Sequence, residues 1–242
     1  MPDSRRHRGP HPEDARAFAK AALPRLRTAT HELSWLYERG YKPVSSLKLV
    51  GDRHALIERQ RAAVARCACA ESLANKRRAR SQPPGALRGA KLRLDGFNVL
   101  TTLEVALSGG VVLLGRDGAL RDIAGVHGSY RRVAETLPAL ALVSRYLQAS
   151  GVARCEWLLD QPVSNSGRLC TVMRAHAAEH GLAWTVDLVH DPDRELACSD
   201  TLVASADGTV LDEAAASFQL TRAVVEQHVP DAWLIDLSGA TS

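Results

Sequence analysis

The second half of the chain alternates short apolar runs with longer amphipathic stretches. Apolar runs predict strands at 92–97, 155–159, 184–190, 202–205 and 233–237. Between them, apolar residues recur at helical spacing over 131–150, 165–180 and 211–228. This alternation is typical of a parallel sheet with helices on both faces. We therefore predict the α/β fold class, with a three-layer α/β/α domain and a mainly parallel sheet over residues 86–242.

One segment after the first predicted strand has a different pattern. Residues 111–114 and 120–123 are short candidate strands, and Asp117-Gly118 between them is typical of a tight hairpin turn. We predict a hairpin insertion near 109–124. Because it follows the first strand directly, it could flank a site at the end of that strand.

The first part of the chain has helical periodicity. It predicts helices over 13–29, 30–39 and 53–75, with a loop over 41–52. Pro24 should kink or divide the first helix. Pro83-Pro84-Gly85 should end the helical region, because this sequence breaks helices. We therefore expect a small all-helical domain over residues 1–85.

Charge is distributed unevenly between these two parts. The net charge is +4, but residues 1–90 carry 19 Lys and Arg against 8 Asp and Glu, whereas residues 91–242 carry 12 against 19. A basic part beside an acidic part suggests that one attracts polyanions and the other concentrates carboxylates. Arg53, Arg59 and Arg66 could form a surface that follows a phosphate backbone, continued by Lys76, Arg77, Arg78 and Arg80. The alternative is an ordinary solvated helix surface.

Several classes of protein do not fit the sequence. It has no apolar run of about 18 residues, and its charged beginning lacks an apolar segment behind it, so we expect neither a membrane span nor a secretory signal. Cys67 and Cys69 have no second cysteine pair with which to complete a zinc site. Reduced thiols in a cytoplasmic protein are expected. No motif for nucleotide cofactors or serine hydrolases is present.

Aspartates follow three of the predicted strands, as Asp95, Asp160 and Asp207. The carboxyl ends of parallel strands share one edge of the sheet, where ligands collect. Three carboxylates meeting there would repel one another unless a divalent cation were bound. We expect these aspartates to hold Mg²⁺ or Mn²⁺, and Asn98 to orient water or phosphate. Each aspartate alone could instead be a turn residue or a helix cap.

Other acids of this part of the chain allow more than one interpretation. Asp191 and Asp193 follow another strand, although Asp-Pro-Asp is also a common turn composition. Asp200 should lie at the opposite edge, because it begins its strand. Asp212 and Glu135 could extend the cluster from neighbouring helices.

Two segments could bind an anion. Ser164, Asn165 and Ser166 open a predicted helix, where free backbone N–H groups suit a phosphate. The segment before another helix contributes His127, Ser129 and Arg131. Both segments could equally be ordinary helix starts with a capping residue.

The Asp95-Gly-Phe-Asn98 element, together with Asp160 and Asp207, resembles the PIN-like/NYN ribonuclease superfamily over residues 91–238. This resemblance implies an α/β/α sandwich in which clustered acids hold Mg²⁺ or Mn²⁺ for phosphodiester hydrolysis. The acid-bearing helix before the fourth strand is short here, at 194–199, so the expected site has three aspartates and Asn98. A second resemblance, to uncharacterised prokaryotic proteins of the domain of unknown function 434 family, spans most of the chain. It rests on residues 33–41, 49–53 and 59–61.

These observations favour a metal-dependent nuclease that acts on RNA, with the basic N-terminal part holding the nucleic-acid backbone. One alternative is a nucleic-acid-binding protein without catalysis. Another is a phosphatase or a Toprim-like phosphotransfer enzyme that uses Asp191 and Asp193, for which a closed pocket rather than an open basic groove is expected. The oligomeric state stays open.

Overall fold

The computed structural model describes residues 7–123 and 128–239. Its α-helices, in chain order, are α1 (Asp14–Ala17), α2 (Leu23–Glu38), α3 (Pro43–Arg53), α4 (Glu58–Cys67), α5 (Glu71–Arg80), α6 (Gly96–Leu107), α7 (Thr136–Ala149), α8 (Ser166–Glu179), α9 (Pro192–Ala197), α10 (Gly208–Glu213) and α11 (Leu220–His228). Its strands are β1 (Lys91–Asp95), β2 (Val111–Leu114), β3 (Leu120–Asp122), β4 (Arg154–Asp160), β5 (Trp184–Val189), β6 (Leu202–Ala204) and β7 (Trp233–Asp236). Single 3₁₀ turns lie at Lys20–Ala22 and Pro84–Leu87.

The main sheet has the order β5-β4-β1-β6, and its strands are parallel. Strand side chains alternate between the two faces. Trp157 and Leu159 pack into the large core shared with α6, α7, α8 and α11. On the other face, Leu158 packs with Leu196 of α9 and Val210 of α10. Helices thus cover both faces, which confirms the predicted α/β class with a parallel sheet.

A second, smaller sheet has the order β3-β2-β7. Strands β2 and β3 form the predicted antiparallel hairpin. Strand β7 pairs with β2 in parallel, so it does not extend the main sheet. Val111, Leu113 and Ile235 of this sheet share a core with Leu26 and Val64 of the N-terminal helices. The hairpin therefore joins the helical part of the chain to the α/β part.

The N-terminal helices differ in detail from the prediction. Pro24 lies in the first turn of α2, where its missing N–H costs nothing, so it starts the helix rather than kinking it. The predicted loop over 41–52 is mostly helix α3, which likewise begins with a proline, Pro43. The predicted helix over 53–75 is two helices, because Ala68 and Ala70 adopt extended backbone between α4 and α5. Cys69 between them is buried, so tertiary packing overrides helix propensity there.

The C-terminal part also departs from the expected bounds. The strand predicted at 92–97 ends at Asp95, and α6 begins at once with Gly96. A Cβ at Gly96 would lie 2.5 Å from the Leu159 side chain and 2.9 Å from the Leu158 carbonyl oxygen, so only glycine fits this tight turn. The helix predicted over 131–150 begins at Thr136, and the one predicted over 211–228 is divided into α10 and α11.

All five cysteines are free thiols, and four of them are buried. Burial raises the pKa of Cys67 to about 12 and that of Cys69 to about 11. Both side chains therefore stay protonated and behave as small apolar groups. Within residues 7–123 and 128–239, no helix is long and apolar enough to cross a membrane.

Candidate functional site

A cavity of about 300 Å³ lies at the carboxyl ends of β1, β4 and β5. Its described lining includes the five aspartates Asp95, Asp122, Asp160, Asp191 and Asp193. The other lining residues are Arg66, Phe97, Asn98, Thr101, Val163, His190 and Pro192. We call this the acidic cavity. The parallel sheet thus brings Asp95 and Asp160 to one edge, as the strand pattern predicts.

Asp95 is the buried carboxylate at the base of the cavity. Its Oδ1 accepts the backbone N–H of Asn98 at 3.2 Å, and its Oδ2 accepts the Ser205 hydroxyl at 2.8 Å and the Asn98 side-chain amide. Burial raises the pKa of Asp95, although these hydrogen bonds oppose the rise. Asn98 is therefore a partner that positions Asp95, in addition to lining the cavity.

Asp160 contributes a carboxylate in which one oxygen atom has no hydrogen bond from the described residues. This atom, Oδ1, is buried. Burial, followed by the charge of Asp191, raises the pKa of Asp160. Asp191 itself caps α9, accepting the Arg194 backbone N–H at 3.0 Å. Because a buried polar atom is normally hydrogen-bonded, the bare oxygen of Asp160 points to a ligand.

Asp193 is affected by the other acids of the site. Its pKa is raised to about 6, first by burial and then by the charges of Asp207, Asp95, Asp191 and Asp160. Asp193 is nevertheless exposed to solvent overall, so the neighbouring charges contribute to its raised pKa in addition to burial. When several carboxylates lie close together, their repulsion raises the pKa of at least one of them. The negative charge of the cavity is therefore poorly compensated within the described protein.

Asp207 lies beside the cavity rather than in its described wall. Its carboxylate caps α10, accepting the N–H groups of Thr209 at 2.7 Å and Val210 at 3.2 Å. Its own N–H donates to the Ser205 hydroxyl at 3.0 Å, and this hydroxyl in turn donates to Asp95. Asp207 is thus connected to Asp95 through one serine. Asp207 therefore caps the helix α10, which was the alternative prediction for this residue.

The donor atoms of the cavity suit Mg²⁺ or Mn²⁺, which prefer carboxylate oxygens and water. The unpartnered oxygen of Asp160 and the raised pKa values of Asp95 and Asp193 fit such a cation. In the described part of the chain, however, no three His, Cys, Asp or Glu side chains are already arranged to hold a metal ion. Binding would therefore require the carboxylates to move together, with water completing the coordination.

Asp122 is a lining residue that sequence reasoning missed. It ends β3, is buried, and accepts the hydroxyls of Thr101 at 3.4 Å and Thr102 at 3.2 Å. The hairpin thus does flank the site. The available signal was Arg121-Asp122 in a predicted strand between Leu120 and Ile123, because such charges are rarely buried without a partner or a function. His190, which follows β5, was also missed.

The predicted anion-binding segments meet one another. Ser129 and Ser164 form an isolated parallel bridge, in which the Ser164 N–H donates to Gly128 O and the Tyr130 N–H to Ser164 O, both at 3.0 Å. Asn165 has a left-handed backbone and donates its side-chain amide to Tyr130 O at 3.1 Å. This turn joins two loops, but none of these residues lines the cavity; Val163 beside them does.

The remaining predicted anion contacts lie elsewhere. Ser166 is buried and donates to Gln161 O at 3.3 Å. Arg131 is exposed, and its carbonyl accepts from Arg8 at 3.2 Å. His127 lies outside the described residues. Glu135 contacts His7 at 2.6 Å and is not part of the described wall of the cavity.

Most of the predicted basic surface is neutralised by acids of the chain itself. Arg53 lies 3.5 Å from Glu32, and Arg59 makes two contacts of 2.5 and 2.9 Å with the fully buried Asp14. Three further arginines engage acids or carbonyls: Arg77 with Asp117 and Asp212, Arg78 with Glu71, and Arg80 with the Asp212 carbonyl. Lys76 is exposed. Arg66 is the predicted member that reaches the acidic cavity.

Comparisons with known proteins match two family models, neither of which names an activity. The model of the Domain of unknown function (DUF5616) matches residues 84–223, and that of the Protein of unknown function (DUF434) matches residues 25–80. The chain is 25% identical, over 186 residues, to the uncharacterized protein MJ0935 of Methanocaldococcus jannaschii, covering 77% of this chain and 88% of that protein. No solved structure matches.

Proposed function

Because the chain belongs to the Domain of unknown function (DUF5616) family, whose description carries no activity, we propose from the site itself that it is a metal-dependent nuclease acting on RNA. The observation that carries this proposal is the gathering of Asp95, Asp122, Asp160, Asp191 and Asp193 around one cavity. Acids with perturbed pKa values in a cleft are candidates for catalysis. RNA as the substrate comes from the resemblance to PIN-like/NYN ribonucleases.

Each residue has a definable part in this chemistry. Asp95, Asp160 and Asp193 would hold the cation, while Ser205 and Asn98 keep the Asp95 carboxylate in place. A bound Mg²⁺ or Mn²⁺ supplies an activated water at neutral pH and stabilises charge on the reacting phosphate. The pKa of Asp193, raised to about 6, leaves its carboxylate ionised near neutral pH, and the ionised carboxylate is the form that binds a cation.

The test is cleavage of a labelled single-stranded RNA by the purified chain with Mn²⁺. Replacing Asp95 with Asn removes a ligand charge but keeps the size of the side chain. We expect Asp95→Asn and Asp160→Asn each to lower the rate by about a hundredfold or more, the order seen when a metal-bound catalytic group is lost. Thermal unfolding confirms that each variant is folded.

Asp200→Asn is the matched control, because Asp200 is exposed and is not among the residues that line the cavity. It should cleave RNA like the wild type. Cleavage that survives both Asp95→Asn and Asp160→Asn would show that a contaminant is responsible, and the proposal would fail.

A second candidate is hydrolysis of a small phosphorylated molecule. Two observations favour it: the paired arginines leave little basic track for a long strand, and a cavity of about 300 Å³ suits a small ligand. The phosphomonoester p-nitrophenyl phosphate and the diester bis-p-nitrophenyl phosphate separate the two candidates. Turnover of the monoester alone, without cleavage of RNA, would support the phosphatase.

A further inference from the structure

Arg66 is set apart from the other arginines of its helix. It lies on α4, in the N-terminal helical part, and its half-buried side chain lines the acidic cavity. Among the described residues it has no hydrogen-bond partner and no carboxylate within 4 Å. On the same helix, Arg59 holds Asp14 at 2.5 Å and Arg61 holds Asp52 at 2.8 Å. An arginine that lines a cavity with five aspartates and pairs with none of them calls for an explanation.

The backbone that carries Arg66 is held firmly. Its neighbours Val64 and Cys67 are buried in the core that α4 shares with Val111 and Leu113 of the second sheet. The guanidinium is therefore presented to the cavity by a packed helix rather than by a loop. Its planar fork of N–H donors matches the oxygens of a phosphate, to which it can donate two hydrogen bonds at once.

We propose that Arg66 binds a phosphate group of the substrate within the acidic cavity, where the aspartates would hold the cation. This inference rests on the proposed function and names one further residue for it. An anion that contacts both a cation and a guanidinium compensates both positive charges. The N-terminal helices would then supply part of the site itself, not only affinity for a polyanion.

The direct test measures binding of inorganic phosphate by calorimetry in the presence of Mg²⁺. Wild type should bind phosphate, and Arg66→Gln should weaken this binding about tenfold or more, because a charge-assisted hydrogen-bonding pair is lost. Arg66→Lys should lose part of the affinity, since an ammonium cannot bind in bidentate fashion. Arg61→Gln, which removes a charge from the same helix at the Asp52 pair, should bind phosphate like the wild type.

RNA cleavage provides the second measurement. Arg66→Gln should raise KM about tenfold, whereas Arg61→Gln should leave it unchanged. If the wild type binds phosphate through Arg66 but does not cleave RNA, the nuclease proposal fails and this inference stands. If the wild type cleaves RNA and Arg66→Gln matches it in KM and kcat, the inference is overturned although the nuclease stands. Absence of phosphate binding by the wild type also overturns it.

Discussion

Two clusters of charged side chains in this chain treat their aspartates in opposite ways. One, which we call the ion network, consists of Arg77, Asp117, Arg121 and Asp212. Asp117 pairs with Arg77 at 2.7 Å and with Arg121 at 2.6 and 2.8 Å, while Arg77 also holds Asp212 at 2.7 and 2.9 Å. Although burial opposes ionisation, the two guanidiniums lower the pKa of Asp117.

In the acidic cavity, Asp95, Asp160 and Asp193 have no ion pair with a cation among the described residues. The cavity gathers five aspartates, and the pKa values of Asp95, Asp160 and Asp193 are raised. Buried charges that are fully paired belong to the structure, and removing one partner is costly. Carboxylates crowded without enough partners are a signature of a functional site. The comparison thus separates charges that hold the fold from charges that await a ligand.

The hairpin contributes to both clusters. Arg121 and Asp122 are consecutive in β3, and successive side chains of a strand point to opposite sides. Arg121 joins the ion network and also donates to the Ala206 carbonyl at 2.9 Å, next to the α10 cap. Asp122 lines the cavity. Strand β3 therefore supplies Asp122 to the cavity wall, and its neighbour Arg121 anchors the same strand to the ion network and to the Ala206 carbonyl.

The largest expected effect on stability is in the ion network. Asp117→Ala leaves two buried guanidiniums without their shared partner, so we expect a loss of about 3–5 kcal/mol in the free energy of unfolding. Urea denaturation measures this loss. Asp187→Ala removes an exposed carboxylate 3.7 Å from Arg174 and should change stability by less than about 1 kcal/mol. Equal effects of the two variants would contradict the structural role assigned to the ion network.

A smaller effect is expected when metal binds the acidic cavity. A ligand that binds only the folded state at a hundred times its dissociation constant stabilises by about 2.7 kcal/mol. Mn²⁺ should therefore raise Tm by several degrees for the wild type in a thermal scan. The double variant Asp160→Asn, Asp193→Asn should show no such rise, whereas Asp117→Ala should keep it. A rise of equal size in the double variant would place the metal elsewhere.

The smallest effect concerns Asp193 without metal. Its pKa of about 6 lies above the ordinary value, so the folded state holds this proton more tightly than the unfolded state. The favourable contribution is present below about pH 4 and is lost as the pH rises through about 6. At pH 7, Asp193→Asn should therefore be more stable than the wild type by about 0.5 kcal/mol, a value reduced for solvent screening of a partly exposed group.

At pH 4 the two proteins should unfold alike, because Asp193 is then protonated in the folded wild type and resembles asparagine in charge. Unfolding curves at pH 4, 5, 6 and 7 measure the difference. A gap that is the same at every pH would show that packing, not charge, distinguishes the variant.

The sequence determined the class of the fold. Strands that alternate with helices predicted the parallel sheet, and the Asp117-Gly118 turn predicted the hairpin, because periodicity and turn chemistry are local properties. The same reasoning placed Asp95 and Asp160 at one edge of the sheet, since the carboxyl ends of parallel strands meet there.

Only the tertiary structure decided how each charge is used. Arg59 and Arg66 lie on one helix, yet one holds Asp14 and the other faces the cavity, because their partners come from distant parts of the chain. Asp122 lies at the site because its hairpin packs against the core of the N-terminal helices. Compensation of charge is a pairwise property of side chains in space. No local pattern of hydrophobic and polar residues could therefore separate the ion network from the acidic cavity.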